Sequence, residues 1–213
     1  MSGTGPERGA LFISLEGIDG SGKSTQARRL AETLRATGRD PVLTREPGGA
    51  PGAEDIRRLL VEGDPDRWSP ETEILLFMAA RRDHLERTIR PALSAGRDVI
   101  TDRFADSTRV YQGATRGDLR GLVDDIHDRV IGIDPDLTLI LDMDPEVALT
   151  RGLARRSGED RFEDFGLAFQ HRLRDGFRAL AAEYPRRCVL IDAGRNPDAI
   201  ATDIAALVAQ RLA

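Results

Sequence analysis

Residues 11–24, LFISLEGIDGSGKS, combine a strand pattern, a glycine-rich turn and the start of a helix pattern. The first five residues form a short apolar run, which is typical of a buried strand. Residues 17–24 fit the pattern G-x-x-x-x-G-K-[ST] at every fixed position. From Lys23 to about Ala36, apolar residues recur at three- and four-residue spacing, which predicts a helix. A glycine-rich turn between a strand and a helix lets backbone N–H groups converge on phosphate oxygens, so this stretch predicts a nucleoside triphosphate site.

The lysine of this pattern is unusual in the composition of the chain. Lysine and arginine together number 31, and Lys23 is the single lysine. One interpretation is an arginine-rich composition in which one lysine remains by chance. The other is that this position requires a compact ammonium, where a planar guanidinium would not fit. The place of Lys23 at the fixed lysine of the motif favours the second interpretation.

Further strands and helices alternate along the rest of the chain. This alternation predicts an α/β domain with a parallel central sheet, in one domain covering residues 1–213. Residues 1–9 are expected to be a disordered tail, and the very polar residues 151–164 an exposed, arginine-rich lid. The later strands are predicted at residues 41–44, 98–101, 137–141 and 188–191, and the later helices near 54–62, from Pro70 through 74–80, and from Pro197 onward.

Residues 74–80 are seven apolar residues in succession within the helix that begins at Pro70. A helix that is apolar on every side is expected to be buried on every side. In a domain of this size, that pattern predicts one face in the core and another against a partner subunit.

Composition excludes several classes of protein. The chain has 40% hydrophobic residues, and no apolar run approaches the roughly 20 residues needed to span a bilayer, so we expect no membrane partner. Cys188 is the single cysteine, which cannot form an internal disulfide and predicts a reducing, cytoplasmic location. The net charge of −5 argues against a dedicated nucleic-acid binder.

The class of nucleotide-binding protein depends on the remaining motifs. GTPases normally carry an N-K-x-D motif. The single asparagine of this chain, Asn196, is followed by proline, which argues against a GTPase. Asp142 ends an apolar strand and could imitate the metal site of ATPases, or could simply cap the strand. Asp102, followed at once by Arg103, ends another strand and points into the crevice where α/β domains bind ligands.

Five motifs together resemble the thymidylate kinase family. They are residues 16–25, residues 44–49, Phe77 followed four residues later by Arg81, residues 100–112, and residues 160–163. The resemblance implies a P-loop NTPase fold with a five-stranded parallel sheet flanked by helices. It implies transfer of the γ-phosphoryl group of ATP to dTMP, with Mg²⁺, and usually a homodimer.

The resemblance also implies roles for individual residues. Those expected to bind ATP are Gly17, Ile18, Asp19, Gly20, Ser21, Gly22, Lys23, Ser24 and Thr25, and those expected to bind dTMP are Asp19, Arg45, Phe77, Arg81, Arg103, Ser107, Thr108 and Tyr111. Ser24 and Asp102 are the implied Mg²⁺ ligands, and Lys23, Asp19 and Arg103 belong to the catalytic set.

Several of these residues have a plainer interpretation. Asp19 could only stabilise its loop, and Asp102 with Arg103 could be an ordinary ion pair at a strand end. Arg45 could be a solvated loop residue, and Phe77 could belong only to the core.

The phosphate loop lacks the arginine that some thymidylate kinases carry there, so the resemblance is to the bacterial branch whose lid supplies it. Arg156 and Arg161 are the leading candidates for this catalytic arginine, with Arg151 and Arg155 behind them. The alternative is a solvated polar flap. Two rival functions stay open: another nucleotide or deoxynucleoside kinase, and a nucleotide-binding regulatory module.

Overall fold

The computed structural model describes residues 9–64, 67–114, 118–153 and 166–213. Its strands form one parallel sheet, and their bounds are β1 Phe12–Glu16, β2 Val42–Arg45, β3 Val99–Asp102, β4 Leu137–Asp142 and β5 Cys188–Asp192. Their order in this five-stranded sheet is β2-β3-β1-β4-β5, and every pairing is parallel. The predicted α/β class and the five-stranded parallel sheet are therefore confirmed.

Helices follow the strands and cover both faces of the sheet, as a parallel sheet requires. The helices of the described residues are α1 Lys23–Ala36, α2 Pro51–Val61, α3 Pro70–His84, α4 Arg90–Ser94, α5 Ala105–Thr108, α6 Arg120–Ile126, α7 Pro145–Leu153, α8 Gly166–Glu183 and α9 Pro197–Leu212. Three wider π-helical turns, at Leu85–Ile89, Arg109–Ala114 and His127–Ile131, continue α3, α5 and α6.

The predicted helix starts at Pro70 and Pro197 are confirmed, and each has a capping side chain. The Ser69 side chain accepts a hydrogen bond from the Thr72 N–H at 3.2 Å, and Pro70 occupies the first position of α3. Asn196 does the same for α9, accepting from the Asp198 N–H at 2.8 Å.

Two main apolar clusters pack the helices onto the sheet. One core packs α1, α8 and α9 against β1, β4 and β5, around residues such as Leu30 and Phe177. The other packs α3 and the turn that follows it against Phe12 and Phe104, whose rings meet edge to face at 4.9 Å. The sheet is therefore a rigid base whose carboxyl edge is free to carry a site.

Strand β1 is central and buried along its whole length. Leu15 of β1 pairs with Asp102 of β3, and Glu16 pairs with Ile140 of β4. The residues that follow β1 therefore emerge in the middle of the carboxyl edge, the position where open α/β sheets bind ligands.

Two expectations, the lid and the tail, lie largely beyond the described residues. Residues 151–153 of the predicted lid end helix α7. The rest of the lid, 154–164, and residues 1–8 of the predicted tail lie outside the described residues. Helix α3 has one face in the core and another on the surface of this chain, since Ile74 is 0% exposed and Leu75 is 59% exposed. That a partner subunit covers the second face stays a prediction. In the part of the chain that is described, no helix is long and apolar enough to cross a membrane.

Candidate active site

The phosphate loop occupies the turn between β1 and α1 and needs glycine for two reasons. Gly20 has a φ of 83°, and a Cβ added there would lie 2.1 Å from the carbonyl oxygen of Ala148 in α7. Gly22, with a φ of 99°, precedes the first residue of α1 in a left-handed conformation. Side chains would strain both positions, so the glycines let the loop approach α7 and present its backbone N–H groups.

Lys23 begins α1 and is 6% exposed. Its Nζ donates to the carbonyl oxygens of Gly17 at 3.0 Å and Ile18 at 2.9 Å, and lies 3.8 Å from Asp19 Oδ1. Burial, together with the positive charge of Arg103, lowers the pKa of Lys23 to about 8, although the neighbouring carboxylates oppose the shift. The loop therefore encloses a compact ammonium on its inner side.

Ser24 and Asp102, the predicted metal ligands, lie together. The Ser24 hydroxyl donates to Asp102 Oδ2 at 2.5 Å, across the gap between α1 and the end of β3. A hydroxyl and a carboxylate oxygen that converge in this way fit Mg²⁺, which takes one or two protein oxygens and completes its shell with phosphates and water. Among the described residues, no group of three or more His, Cys, Asp or Glu side chains could hold a metal ion.

Asp142, the alternative metal ligand at a strand end, is engaged elsewhere. Its Oδ1 accepts from Arg174 Nε at 2.6 Å, and its Oδ2 accepts from Arg178 Nη2 at 2.7 Å. These two arginines of α8 hold the Asp142 carboxylate, so Asp102 is the strand-end acid that faces the phosphate loop.

Arg103 stands where the phosphate loop meets the turn after β3. Its Nη2 donates to Asp19 Oδ1 at 2.5 Å and to the Tyr111 hydroxyl at 3.2 Å, and its Nη1 donates to the Gly17 carbonyl oxygen at 3.2 Å. The Tyr111 hydroxyl in turn donates to Asp19 Oδ2 at 3.1 Å. Although burial opposes it, the positive charges of Arg103 and Lys23 lower the pKa of Asp19 to about 2. Asp19 is therefore a carboxylate across the neutral range.

Two cavities meet at this point. The first, which we call the phosphate cavity, is polar and is lined by Asp19, Gly20, Gly22, Lys23, Ser24, Arg45, Glu46, Arg57, Asp102 and Arg103. The second, which we call the nucleoside cavity, is lined by Asp19, Glu46, Pro47, Arg57, Val61, Phe77, Arg81, Arg103, Phe104, Ser107, Thr108, Tyr111 and Gln112. The two share Asp19, Glu46, Arg57 and Arg103. A ligand in one cavity can therefore reach a ligand in the other.

Arg81 forms the deep end of the nucleoside cavity and is 1% exposed. Its Nε donates to Glu46 Oε2 at 2.7 Å, and its Nη2 donates to Thr108 Oγ1 at 2.9 Å. Its Nη1 contacts the Met78 sulfur at 3.6 Å, which is a weak acceptor. Nη1 is therefore the donor best able to turn to a polar atom of a ligand.

Glu46 and His84 hold Arg81 in this position. His84 is fully buried, and its Nδ1 lies 3.0 Å from Glu46 Oε1 while its Nε2 lies 2.8 Å from the Thr44 hydroxyl. Despite burial, Arg81 and His84 keep the pKa of Glu46 below its usual value. This buried network orients the guanidinium before any ligand arrives.

The structure brings together most of the residues that the sequence predicted. Phe77, Arg81, Arg103, Ser107, Thr108 and Tyr111 line the nucleoside cavity. Arg45 lines only the phosphate cavity, where it is exposed and pairs with Glu54 at 3.2 Å. Arg151 is exposed at the end of α7, with Nη1 3.9 Å from the Met143 sulfur. Arg155, Arg156 and Arg161 lie outside the described residues.

Sequence reasoning missed three side chains of this site. Arg57 of α2 lines both cavities and donates to the Pro47 carbonyl oxygen. The sequence pattern indicated no role for His84, and it included Glu16 only as the first residue of the motif at residues 16–25. Arg57 lies one helical turn from Ala53, which is 0% exposed, so the helix period could have placed it on an inner face.

A phosphate loop that shares an arginine with a second cavity, one lined by aromatic rings and hydrogen-bonding groups, can hold two nucleotides with their phosphates adjacent. This arrangement defines a nucleoside monophosphate kinase, a phosphotransferase of the P-loop NTPase fold.

Comparison with known proteins agrees with this class. A sequence model of the family described as thymidylate kinase matches residues 15–204. A thymidylate kinase of Jannaschia sp. is 77% identical over 95% of this chain and 98% of its own length. One from Ruegeria pomeroyi is 66% identical over 100% of this chain and 98% of its own.

A solved structure agrees as well. The crystal structure of thymidylate kinase from Ehrlichia chaffeensis superposes with a TM-score of 0.75 at 36% identity, covering 94% of this chain and 99% of that one. The chain belongs to the thymidylate kinase family.

Proposed function

We propose that the chain transfers the γ-phosphoryl group of ATP to the 5′-phosphate of dTMP, giving dTDP and ADP. An oxygen of the acceptor phosphate attacks the γ-phosphorus of ATP, and the bond from that phosphorus to the β–γ bridging oxygen breaks. The observation that carries the proposal is the sharing of Asp19 and Arg103 by the phosphate and nucleoside cavities. This sharing would set the two phosphates next to each other.

The phosphate cavity supplies the positive charge that phosphoryl transfer needs. Residues 17–25 would wrap the phosphates of ATP with backbone N–H groups, and Lys23 would place its ammonium at the β- and γ-phosphates. Arg103 would bind the acceptor phosphate, for which its two terminal nitrogens form a fork. Positioning and charge stabilisation account for most of the catalysis of such transfers.

Ser24 and Asp102 would hold Mg²⁺, Asp102 through a water molecule. When bound, Mg²⁺ would neutralise negative charge on the phosphates during transfer. The 2.5 Å separation of Ser24 Oγ and Asp102 Oδ2 supports this assignment, because it places a hydroxyl and a carboxylate oxygen together beside the phosphate loop.

The nucleoside cavity would recognise the base and the sugar of the acceptor. Phe77 would stack on the thymine ring, and Arg81 and Thr108 would bond its edge. Arg81 would donate through Nη1, whose contact in the structure is the weakly accepting Met78 sulfur. Asp19 would contact the 3′-hydroxyl. Tyr111 would crowd the 2′ position, so a ribonucleotide would lose space there.

The lid would complete the site. Arg156 or Arg161 would carry a cation to the migrating phosphoryl group, because residues 17–24 contain no arginine. This role is supported by the family resemblance and by the density of arginine in residues 151–164.

We propose further that the chain is a single domain and acts as a homodimer in the cytoplasm. The exposed Leu75 on α3 supports the dimer, because it continues the apolar run of residues 74–80 outside the core. The buried, free Cys188 supports a reducing compartment. Light scattering of Leu75→Glu tests the dimer, with a monomer as the expected result and an unchanged dimer as the contrary one.

The experiment for the activity is an ADP-release assay with ATP, Mg²⁺ and dTMP, with dTDP identified by chromatography. We expect ADP and dTDP in equal amounts, and neither product with folded Lys23→Ala. ADP release that does not depend on dTMP would favour a hydrolysing regulatory module and contradict the proposal.

A further inference from the structure

Glu16 is a fully buried carboxyl group that contacts the segment after β3. It is the last residue of β1 and directly precedes the phosphate loop. Both of its oxygens have partners: Oε1 accepts from the Phe104 N–H at 2.8 Å, and Oε2 accepts from the Ser107 hydroxyl at 2.6 Å. Both partners belong to the segment that carries Arg103, so Glu16 ties that segment to the strand before the loop.

The first of these bonds fixes an unfavourable turn. Arg103 has a φ of 73°, and in the described part of the chain it is the one residue other than glycine with a positive φ. A left-handed conformation costs such a residue about 1–2 kcal/mol and persists only where the surroundings hold it. The Arg103 N–H donates to the Leu15 carbonyl oxygen at 2.9 Å, and the next amide, that of Phe104, is held by Glu16. Two successive amides of the turn are thus bound by β1.

The second bond reaches the guanidinium itself. Ser107 Oγ accepts from Arg103 Nη1 at 2.9 Å while it donates to Glu16 Oε2. Since Ser107 has one proton to donate, its bond to the carboxylate leaves its lone pairs to face Arg103. Glu16 therefore fixes both the backbone turn at Arg103 and the position of the Arg103 guanidinium.

We propose that Glu16 is a positioning residue that fixes the turn and the guanidinium of Arg103 against the phosphate loop. This inference rests on the proposed function, in which Arg103 binds the acceptor phosphate. Glu16 is fully buried and is not among the residues that line either cavity. Its effect would appear in the recognition of the acceptor's phosphate and not in the recognition of its base.

The experiment separates these two parts of the acceptor by calorimetric binding of dTMP and of thymidine, which lacks the phosphate. The quantity compared is the affinity for dTMP divided by the affinity for thymidine. We expect Glu16→Ala to lower this ratio on the order of tenfold, since a displaced cation loses the phosphate while the base contacts remain. An unchanged ratio, including an equal loss of both affinities, would show a merely structural role and overturn the proposal.

Two reference variants make the result specific. Asp98→Ala removes another buried carboxylate, whose Oδ1 accepts from the Leu11 N–H at 2.9 Å at the opposite edge of the sheet, and should leave the ratio unchanged. Arg103→Ala should lower the ratio at least as much as Glu16→Ala. If it does not, the proposed acceptor site fails; if it does and Glu16→Ala has no effect, only the present inference fails.

A further variant applies if Glu16→Ala does not fold. Ser107→Ala removes the relay to the guanidinium and keeps the bond to the Phe104 N–H. It should lower the ratio by a smaller factor, about threefold, even if the affinity for thymidine also changes. With that variant, too, an unchanged ratio would overturn the proposal.

Discussion

At the scale of single residues, Lys23 shows why one lysine stands in a chain otherwise supplied with arginine. Its Nζ fits between the carbonyl oxygens of Gly17 and Ile18, at 3.0 and 2.9 Å. A guanidinium is planar and broader, and cannot occupy that narrow space in the same way.

We therefore expect Lys23→Arg to lose at least about a hundredfold in kcat, a cost typical of removing one group that stabilises transition-state charge. The variant should stay folded by circular dichroism. The measurement is steady-state turnover with ATP and dTMP beside Lys23→Ala. Near-normal turnover of the arginine variant would mean that the lysine survives there by chance.

The raised pKa of the buried Glu16 carboxyl group predicts that the stability of the protein depends on pH. Burial and the nearby Asp106 raise its pKa from the ordinary 4.5 to about 7, while Arg103, the Ser107 hydroxyl and the Phe104 N–H oppose the shift. The folded protein therefore binds more protons than the unfolded chain between these two values. The contribution of Glu16 to the free energy of unfolding is therefore fully present below pH 4.5 and is lost as the pH rises through 7.

Glu16→Gln does not titrate and isolates this contribution. The parent should lose about 3 kcal/mol of unfolding free energy relative to this variant between roughly pH 4 and pH 8. Urea unfolding of both proteins across that range is the measurement. Parallel stability curves would contradict a raised pKa for Glu16.

At the scale of elements, the sequence places every strand of the described sheet, and each strand ends one residue later than predicted. The final residues are Glu16, Arg45, Asp102, Asp142 and Asp192. An apolar run predicts where burial stops, but the backbone ladder continues through one polar residue. Of this group, Arg45 and Asp102 line the phosphate cavity, because the carboxyl ends of parallel strands form the ligand crevice. Glu16 is instead fully buried and binds the segment that carries Arg103.

The helices between β3 and β5 were not predicted individually. In α8, Phe169, Leu173 and Phe177 recur at four-residue spacing and are buried, so the signal was present. In α5 and its π-helical turn, buried polar residues such as Asp106 and Arg109 replace the apolar pattern, and only the folded structure shows that they pair, at 2.8 Å. The buried contacts of Glu16, Glu46 and His84 are likewise long-range, and a sequence pattern does not reveal them.

The role proposed for the lid arginines predicts that their removal affects kcat much more than KM. If Arg156 or Arg161 reaches the migrating phosphoryl group, its replacement by alanine should lower kcat on the order of 10³-fold and change KM for dTMP much less. Single alanine variants of Arg156 and Arg161 would show which arginine acts. Arg35→Ala, at an exposed arginine in the last turn of α1, is the control. Both variants within a few-fold of the parent in kcat would identify the lid arginines as surface charges.

At the scale of the whole molecule, the sheet sets two cavities side by side at its carboxyl edge, and the helices give each a different character. The phosphate cavity is built from α1 and the strand ends and is charged. The nucleoside cavity lies among α2, α3 and α5 and combines aromatic rings with a buried arginine. In the proposed function, this second cavity selects thymidylate as the acceptor.

The selection of thymidylate by the nucleoside cavity is tested by measuring kcat/KM for dTMP, dUMP, UMP, CMP and GMP with ATP as the donor. We expect dTMP to be best and dUMP weaker, because filling an apolar site with one methyl group is worth about 1–3 kcal/mol. The three ribonucleotides should be poor, since Tyr111 crowds the 2′ position, and Tyr111→Ala should relax sugar discrimination more than base discrimination. If UMP or a purine monophosphate outruns dTMP, the nucleoside cavity does not select thymidylate, and the assignment of the acceptor is contradicted.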